Sequence, residues 1–367
     1  MRIVAVRCTP FAIPLRTPVQ FSTGSLASAA HVLLEVDTDE GITGVAEVIP
    51  RSMVYGESQA SIVAAMRDWF APMVIGLDAF ETARARARMA AVVGNFACKG
   101  ALDIALHDIQ GKALGVPCWA MLGRWTAEIR VSCLLGFGEP QAVADAALAA
   151  AAAYGFTAFK IKVGRDVARD VRTVRAVREA VGADAVLCVD ANHGYSSARA
   201  LSFLDRAAEC DIGWIEEPCP EEDPDGRRRV AEAGRVPVLL DESVRSVTEV
   251  AREVRAGAGR MVSIKTPRTG FLESRSILGF CEGSGVDNLV GTQGETGVGT
   301  LASLHFAAAS ARTAAYPAEL SWSTVEIADD LLTEPVTVHD GVLRVPERPG
   351  IGAVVDPEKL RRYAVEL

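Results

Sequence analysis

Three acidic residues close three successive apolar runs: Asp190 in AVLCVDAN, Glu216 in GWIEEP and Asp241 in VLLDES, with Lys265 closing the next in SIKTPRTG. The steps from Asp190 through Glu216 and Asp241 to Lys265 are 26, 25 and 24 residues. One charged residue per repeat of that length is the beat of alternating strands and helices, and it points to a βα barrel. In such barrels the C-terminal ends of the strands converge on one mouth. Three carboxylates meeting there would form an oxygen-rich pocket for a hard divalent cation, with Lys160, Lys162 and Lys265 as candidate acids, bases or carboxylate holders. Alone, a KxK, an EEP or a DES is a common solvated motif; the shared spacing is what makes them a set.

The rest of the chain supports a barrel and a second unit. The 367 residues exceed one typical core and suit a barrel of roughly 200–250 residues plus another domain. Residues 2–8 and 31–37 alternate like strands, and turn chemistry between Asp37 and Gly44 leads into VAEV as a meander. Helical periodicity follows over 58–69, 79–93 and 99–114, closed by Gly115 and Pro117. This predicts an α+β capping domain over 1–125. Beyond it, strands are expected at 129–135, 158–163, 185–190, 212–216, 237–241, 260–265, 286–291 and 318–322, mostly short and unalternating, as befits strands buried on both faces. Helices are expected at 139–154, 166–181, 196–208, 223–233, 246–257, 270–284 and 297–311. The fold expected is α/β, a modified TIM-type barrel (β/α)7β over 126–334, with the tail 335–367 returning to the N-terminal sheet through a hairpin at Asp340-Gly341.

Composition excludes several classes. A net charge of −9 argues against a nucleic-acid surface. The basic run Arg227–Arg229 follows acidic residues and reads as the solvated start of a helix. The eight cysteines lack the CxxC spacing of zinc or redox sites, and no window has the length of a membrane span. A cytoplasmic protein with reduced thiols and no membrane partner is expected. Single histidines such as His107 and His193 receive no role, and a hydrolase built on histidine ligands is disfavoured. The glycine-rich GTQGETGVGTLAS lacks the lysine of a phosphate loop and reads as a tight strand-to-helix turn at the mouth.

The chemistry such a constellation suits is formation of a carbanion beside a carboxylate, where a divalent cation and lysines offset accumulating negative charge. Lys160 and Lys162, two apart, share one face of a strand; one can hold a substrate carboxylate while the other moves a proton. Their pKa values are expected to fall toward neutrality beside a metal and other ammonium groups. Asn192 can orient a ligand oxygen, and Glu217 and Glu242 are expected behind the ligands rather than among them.

These motifs resemble the enolase superfamily, in particular its muconate-lactonizing branch. FKIKVG, CVDANHG, WIEEPCP, LLDES and SIKTPRTG are similar to that family's successive strand ends; GTQGETGVGTLAS and AELSW are similar to its seventh and eighth; VIPRSMVYGES and DWFAPMVIGLD resemble cis,cis-muconate cycloisomerases. The resemblance implies Mg²⁺ or Mn²⁺ on Asp190, Glu216 and Asp241, Lys162 and Lys265 as opposed acid and base, Lys160 as neutraliser of the carboxylate, and Glu319 as the acidic residue of strand eight. It also places segments 16–28 and 50–58 over a small carboxylate substrate, with Arg51, Tyr55, Glu295 and Trp322 as substrate-binding candidates. The expected reaction is cis,cis-muconate to muconolactone. The alternative is racemisation or epimerisation of N-acyl or N-alkyl amino acids, for which Trp322 could stack on a cationic, betaine-like substrate. Strand eight lacks the DxD that many dipeptide epimerases use to hold an amino group. A non-catalytic barrel is the remote third reading, and a homo-oligomer is expected without a legible interface.

Overall fold

The computed structural model describes residues 1–21 and 24–367. The N-terminal sheet is antiparallel, in the order β1 (Ile3–Phe21), β2 (Gly24–Thr38) and β3 (Thr43–Val48). Between Pro14 and Val19 the β1–β2 register shifts, where prolines cannot donate to the ladder. There the strand bends toward the barrel: Arg16 N donates to Glu326 O (2.8 Å) and Ala328 N to Pro14 O (3.0 Å). Of the segment expected over the site, residues 22 and 23 lie outside the described residues, and Ser25 and Leu26 do reach the mouth.

β4 (Glu128–Arg130) and β5 (Cys133–Leu135) divide the first expected barrel strand. Six more follow: β6 (Ala158–Lys162), β7 (Val186–Asp190), β8 (Ile212–Glu216), β9 (Val238–Leu240), β10 (Met261–Ile264) and β11 (Asp287–Val290), and β5 to β11 form one parallel sheet in sequential order. The intervening helices start at polar caps, Asp166, Ser196, Asp223 and Ser246, whose side chains accept first-turn amides. The fold is the expected modified barrel, with one correction. The eighth strand, expected at 318–322, is only a single parallel bridge from Ala318 to Val131. Ala318 N donates to Arg130 O (2.8 Å), Ser132 N to Ala318 O (2.9 Å) and Glu319 N to Val290 O (2.9 Å), and from Trp322 the chain turns into a short helix. Three backbone bonds therefore seam β11 to the start of the sheet.

The tail also departs from expectation. β12 (Val342–Arg344) pairs antiparallel with β4 instead of with the N-terminal sheet, while the last residues do return to β1, through the Phe11–Ala364 bridge and the Val365 amide on the Pro10 carbonyl (3.0 Å).

The cap is locked to the barrel along the helix Phe96–Leu114, which packs on the helix Thr266–Ser284. Gly270 breaks the second helix at φ +61°, and Asp103 from the first accepts the freed Leu272 amide at 3.1 Å and that of Phe271 beside it. A Cβ at Gly100 would lie 2.6 Å from Pro267 O, so glycine alone permits this approach. Near the same helix start, the cap-loop residue Glu57 is buried (6% exposed), facing the Phe96 and Ala97 amides with neither carboxylate oxygen in a well-formed hydrogen bond. Burial pushes its carboxyl up to about 7, against the smaller opposing pull of the Ala97 and Phe96 amides and Lys99.

A carboxyl raised from 4.5 to about 7 in the folded chain destabilises that chain only when ionised. The cost is absent below the unfolded value and complete above the folded one, on the order of 2–3 kcal/mol. Glu57→Gln is accordingly expected to leave Tm nearly unchanged at pH 4 and to raise it at pH 8, measured by thermal unfolding across that range.

Candidate active site

Strand register assembles the site. Lys162 pairs with Asp190 across β6 and β7, and Asp190 with Glu216 across β7 and β8, so the three side chains emerge side by side at the barrel mouth. Asp241 and Lys265 directly follow β9 and β10. All five are buried, as are Lys160 and Glu319. The spacing in two of Lys160 and Lys162 aims both inward, as expected, and both meet Asp190.

Lys160 sits among three carboxylates: its Nζ is 3.1 Å from Asp190 Oδ2, 2.6 Å from Glu216 Oε2 and 2.8 Å from Glu319 Oε1. Lys162 Nζ donates to Asp190 Oδ2 (2.6 Å) and Asn192 Oδ1 (2.8 Å), and Asn192 passes the chain on to Glu242 Oε1 (2.9 Å). Lys265 pairs with Asp241 Oδ2. Asn192 thus orients two of the acidic groups, as its place beside Asp190 suggested.

Five carboxyl groups (Asp190, Glu216, Asp241, Glu242, Glu319) crowd this volume, and their titration reflects their partners. Burial alone would raise Asp190 and Asp241; Lys160 and Lys162 for the first, and Lys265 and Arg268 for the second, overcome it and hold both carboxyls below the ordinary range. Glu216 goes the other way, pushed well up by burial and then by the Asp190 and Glu319 charges. Burial and the neighbouring Asp241 bring Glu242 up to about 7. For Lys160 and Lys265 the carboxylates by themselves act opposite to the fall expected beside a metal. Burial lowers Lys160 and Lys265, but the surrounding carboxylates outweigh it and hold both ammoniums above their ordinary value.

The donor set fits a divalent cation. One oxygen from each of Glu216, Asp241 and Glu242 lies within 4.8 Å of the others. Both oxygens of Glu216, Oδ1 of Asp241 and Oε2 of Glu242 are buried without a hydrogen bond, although Lys160 and Arg268 stand close as ion-pair partners. All-carboxylate oxygen donors suit a hard ion. Of the expected trio, Glu216 and Asp241 come together with Glu242, placed by the sequence behind the ligands. Asp190 stands beside Glu216, held by the two lysines.

A cavity of about 330 Å³ opens over this cluster, roofed by the cap. Arg51 and Tyr55 line it from the cap loop and Trp322 from beyond the seam. Glu295 is not among its lining residues: its Oε2 accepts the Gln293 amide (3.0 Å) and the Thr292 hydroxyl within its own loop. A larger groove of about 440 Å³ lies near β12 and holds none of the clustered residues. The glycine-rich turn proves to hold a carboxylate of the cap. Glu47 accepts from Thr296 N (3.0 Å), Thr296 Oγ1 (2.8 Å) and Gly299 N (2.8 Å) at the start of the helix Gly297–Ala307, and His31 Nδ1 is 2.6 Å behind it.

Sequence reasoning missed Arg268, while Glu217 stands behind the ligands as expected. Glu217 Oε1 accepts Asp241 N (2.7 Å) and Ser243 N (2.9 Å), fixing the turn that carries Asp241. Arg268 is three residues past Lys265 in the first helical turn, a spacing that would bring it back to the strand end, yet no pattern in the chain singles it out.

Buried carboxylates and lysines at the mouth of a capped modified barrel make this cavity the candidate active site of an isomerase. The chain belongs to the enolase superfamily, in its muconate-lactonizing branch: residues 3–123 match the mandelate racemase / muconate lactonizing enzyme N-terminal domain, and residues 142–359 match the enolase C-terminal domain-like family. A muconate lactonizing enzyme from Mucobacterium smegmatis, complexed with muconolactone, is similar over 100% of both chains at 41% identity and a TM-score of 0.98. The N-succinyl-L-Arg/Lys racemase of Bacillus cereus is 30% identical over 100% of this chain and 98% of its own length. A dipeptide epimerase from Enterococcus faecalis, complexed with Mg and the dipeptide L-Leu-L-Tyr, aligns with a TM-score of 0.91 at 28% identity, over 96% of this chain and 99% of that one.

Gly294, at φ +80°, lies against both Arg51 and Trp322: an added Cβ would be 2.6 Å from Arg51 Nη2 and 3.2 Å from the indole. Gly294→Ala is expected to displace Arg51 and raise KM by about tenfold while leaving Mn²⁺ binding unchanged, read by steady-state kinetics and calorimetry. Glu216→Gln is expected to weaken Mn²⁺ binding by about 100-fold in the same titration.

Proposed function

We propose that this chain is a muconate cycloisomerase, converting cis,cis-muconate to muconolactone. The observation that carries the reading is the layout of the cavity lining: Lys160, Lys162 and Lys265 stand with the carboxylates Asp190, Glu242 and Glu319 at the barrel end, Arg51 stands on the cap, and apolar Leu26, Leu134, Met53 and Val54 border the same space. Cations from both domains around an apolar middle suit a planar dicarboxylate. Likeness in sequence and fold to a muconate lactonizing enzyme over the whole chain supports it.

A divalent ion held by Glu216 and Asp241, with Asp190 and Glu242 beside them, would supply a Lewis acid for one substrate carboxylate. Mg²⁺ and Mn²⁺ both fit oxygen donors. Lys160, already poised among acidic groups, would neutralise charge at that carboxylate. Arg51 would take the distal carboxylate. As one carboxylate oxygen bonds to carbon, the diene electrons shift toward the other end, and a lysine ammonium protonates the α-carbon. Lys162 on β6 and Lys265 after β10 have three strands between them around the curled sheet, a separation that supports action from different sides of a bound substrate.

A second reading, racemisation of an N-succinyl amino acid, is favoured by the likeness to the Bacillus cereus racemase and needs the same two lysines. Two assays separate them. With Mn²⁺ present, muconate turnover removes the diene absorbance and, in D₂O, leaves one deuterium in the lactone; racemisation exchanges the α-hydrogen of an N-succinyl amino acid without changing its skeleton. We expect diene loss, with Lys162→Ala and Lys265→Ala each lowering kcat by about 10²–10⁴-fold. Diene absorbance that persists at micromolar enzyme, alongside α-hydrogen exchange, would exclude the first reading.

A further inference from the structure

The guanidinium of Arg268, 3% exposed, serves both domains at once. Nη1 donates to Tyr55 Oη of the cap loop (3.1 Å) and stands 3.0 Å from Asp241 Oδ1; Nη2 donates to the Asp241 carbonyl (3.0 Å) and the Ser263 carbonyl (3.2 Å). Gln293 Nε2 is a further donor to Tyr55 Oη. The loop in question, Ser52–Tyr55 ending at Gly56, is a single turn with no buried residue, and Met53 is 67% exposed. Its hold on the barrel therefore concentrates at the Tyr55 hydroxyl. Arg268 itself cannot drift, because its turn is pressed by Gly100 and its amide donates to Lys265 O (3.1 Å).

We propose that Arg268 is a positioning residue that couples seating of the cap loop over the cavity to the orientation of the Asp241 carboxylate. The planar fork has enough fixed donors to grip the loop hydroxyl and both oxygen types of Asp241 together. When Tyr55 is seated, Nη1 is shared between the phenol and Oδ1, and Asp241 is held with Oδ2 toward Lys265. When the loop lifts, Nη1 belongs to Oδ1 alone, so the oxygen offered to a cation changes its surroundings. Coupling of this kind is reciprocal: a cation on Asp241 steadies the loop, and a seated loop tightens the cation. The inference rests on Asp241 being a ligand of the divalent site.

Hydrogen exchange of amides 52–56 and Mn²⁺ affinity by calorimetry test it without any substrate, so failure of muconate turnover would leave the result readable. Tyr55→Phe, which removes one hydroxyl that touches no candidate ligand, is expected to speed exchange of those amides and to weaken Mn²⁺ binding, each by about fivefold. Arg268→Lys is expected to do both, and the double variant to speed exchange no further than Arg268→Lys alone. Mn²⁺ binding unchanged within about twofold in Tyr55→Phe overturns the proposal, as do exchange effects that multiply in the double variant. Because Tyr55→Phe alters only a loop side chain, it decides the matter even if Arg268→Lys does not fold.

Discussion

Everything at the mouth of this barrel depends on compensating buried charge. Five carboxyl groups drawn out of water would repel one another strongly enough to open the fold, and Lys160, 2% exposed among three of them, is the central counterweight. The compensation is incomplete by construction. Glu216 is pushed toward its neutral form and several carboxylate oxygens lack hydrogen bonds, a combination that an oxygen-seeking cation relieves. The same groups hold the Lys160 and Lys265 ammoniums above their ordinary value, so an ion that takes over those carboxylates also loosens their grip on both lysines.

The second constraint is the fit of cap to barrel, which relies on carboxylates meeting helix starts. Asp103 receives the amides freed where Gly270 breaks its helix, and Glu47 fills the N-terminus of the helix Gly297–Ala307 with His31 behind it. Negative charge is favoured at both places by the unpaired amides and the helix dipole. A glycine-rich turn that could cradle a phosphate is thereby used to bind the other domain, and the cavity between them gains a fixed roof.

The barrel was legible because its signal is local and repeated: short apolar strands, capped helices and a charged residue every 24 to 26 positions. Asp190, Glu216, Asp241 and Lys265 stand out that way, Lys160 and Lys162 as a pair on the strand before them, and the structure brings all six together. Arg268 and Glu47 were not, since their importance lies in contacts with residues 213 and about 250 positions away, and nothing in their own segments reports it. Glu295 does not line the cavity for a related reason, its Oε2 being held within its own turn. The lysine pKa expectation weighed neighbouring cations and overlooked how many anions share the space.

The seam at Ala318 and Glu319 has a consequence for how such an enzyme can diversify. Elsewhere in the sheet a residue swap or insertion must respect the pairing of two flanking strands. Here a single bridge closes the ring, and the chain leaves it at once for the short turn bearing Trp322. Residues 320–325 form a turn pinned on either side, Ser321 Oγ on the Ser132 carbonyl (2.7 Å) and Thr324 Oγ1 on the Val336 carbonyl (2.9 Å), beside the carboxylate that pairs with Lys160. Within it Trp322 lines the cavity, so a new side chain at that one position changes what a ligand meets while the strands that hold the reactive groups keep their pairing, making the join in the staves the natural place for one scaffold to acquire another diet.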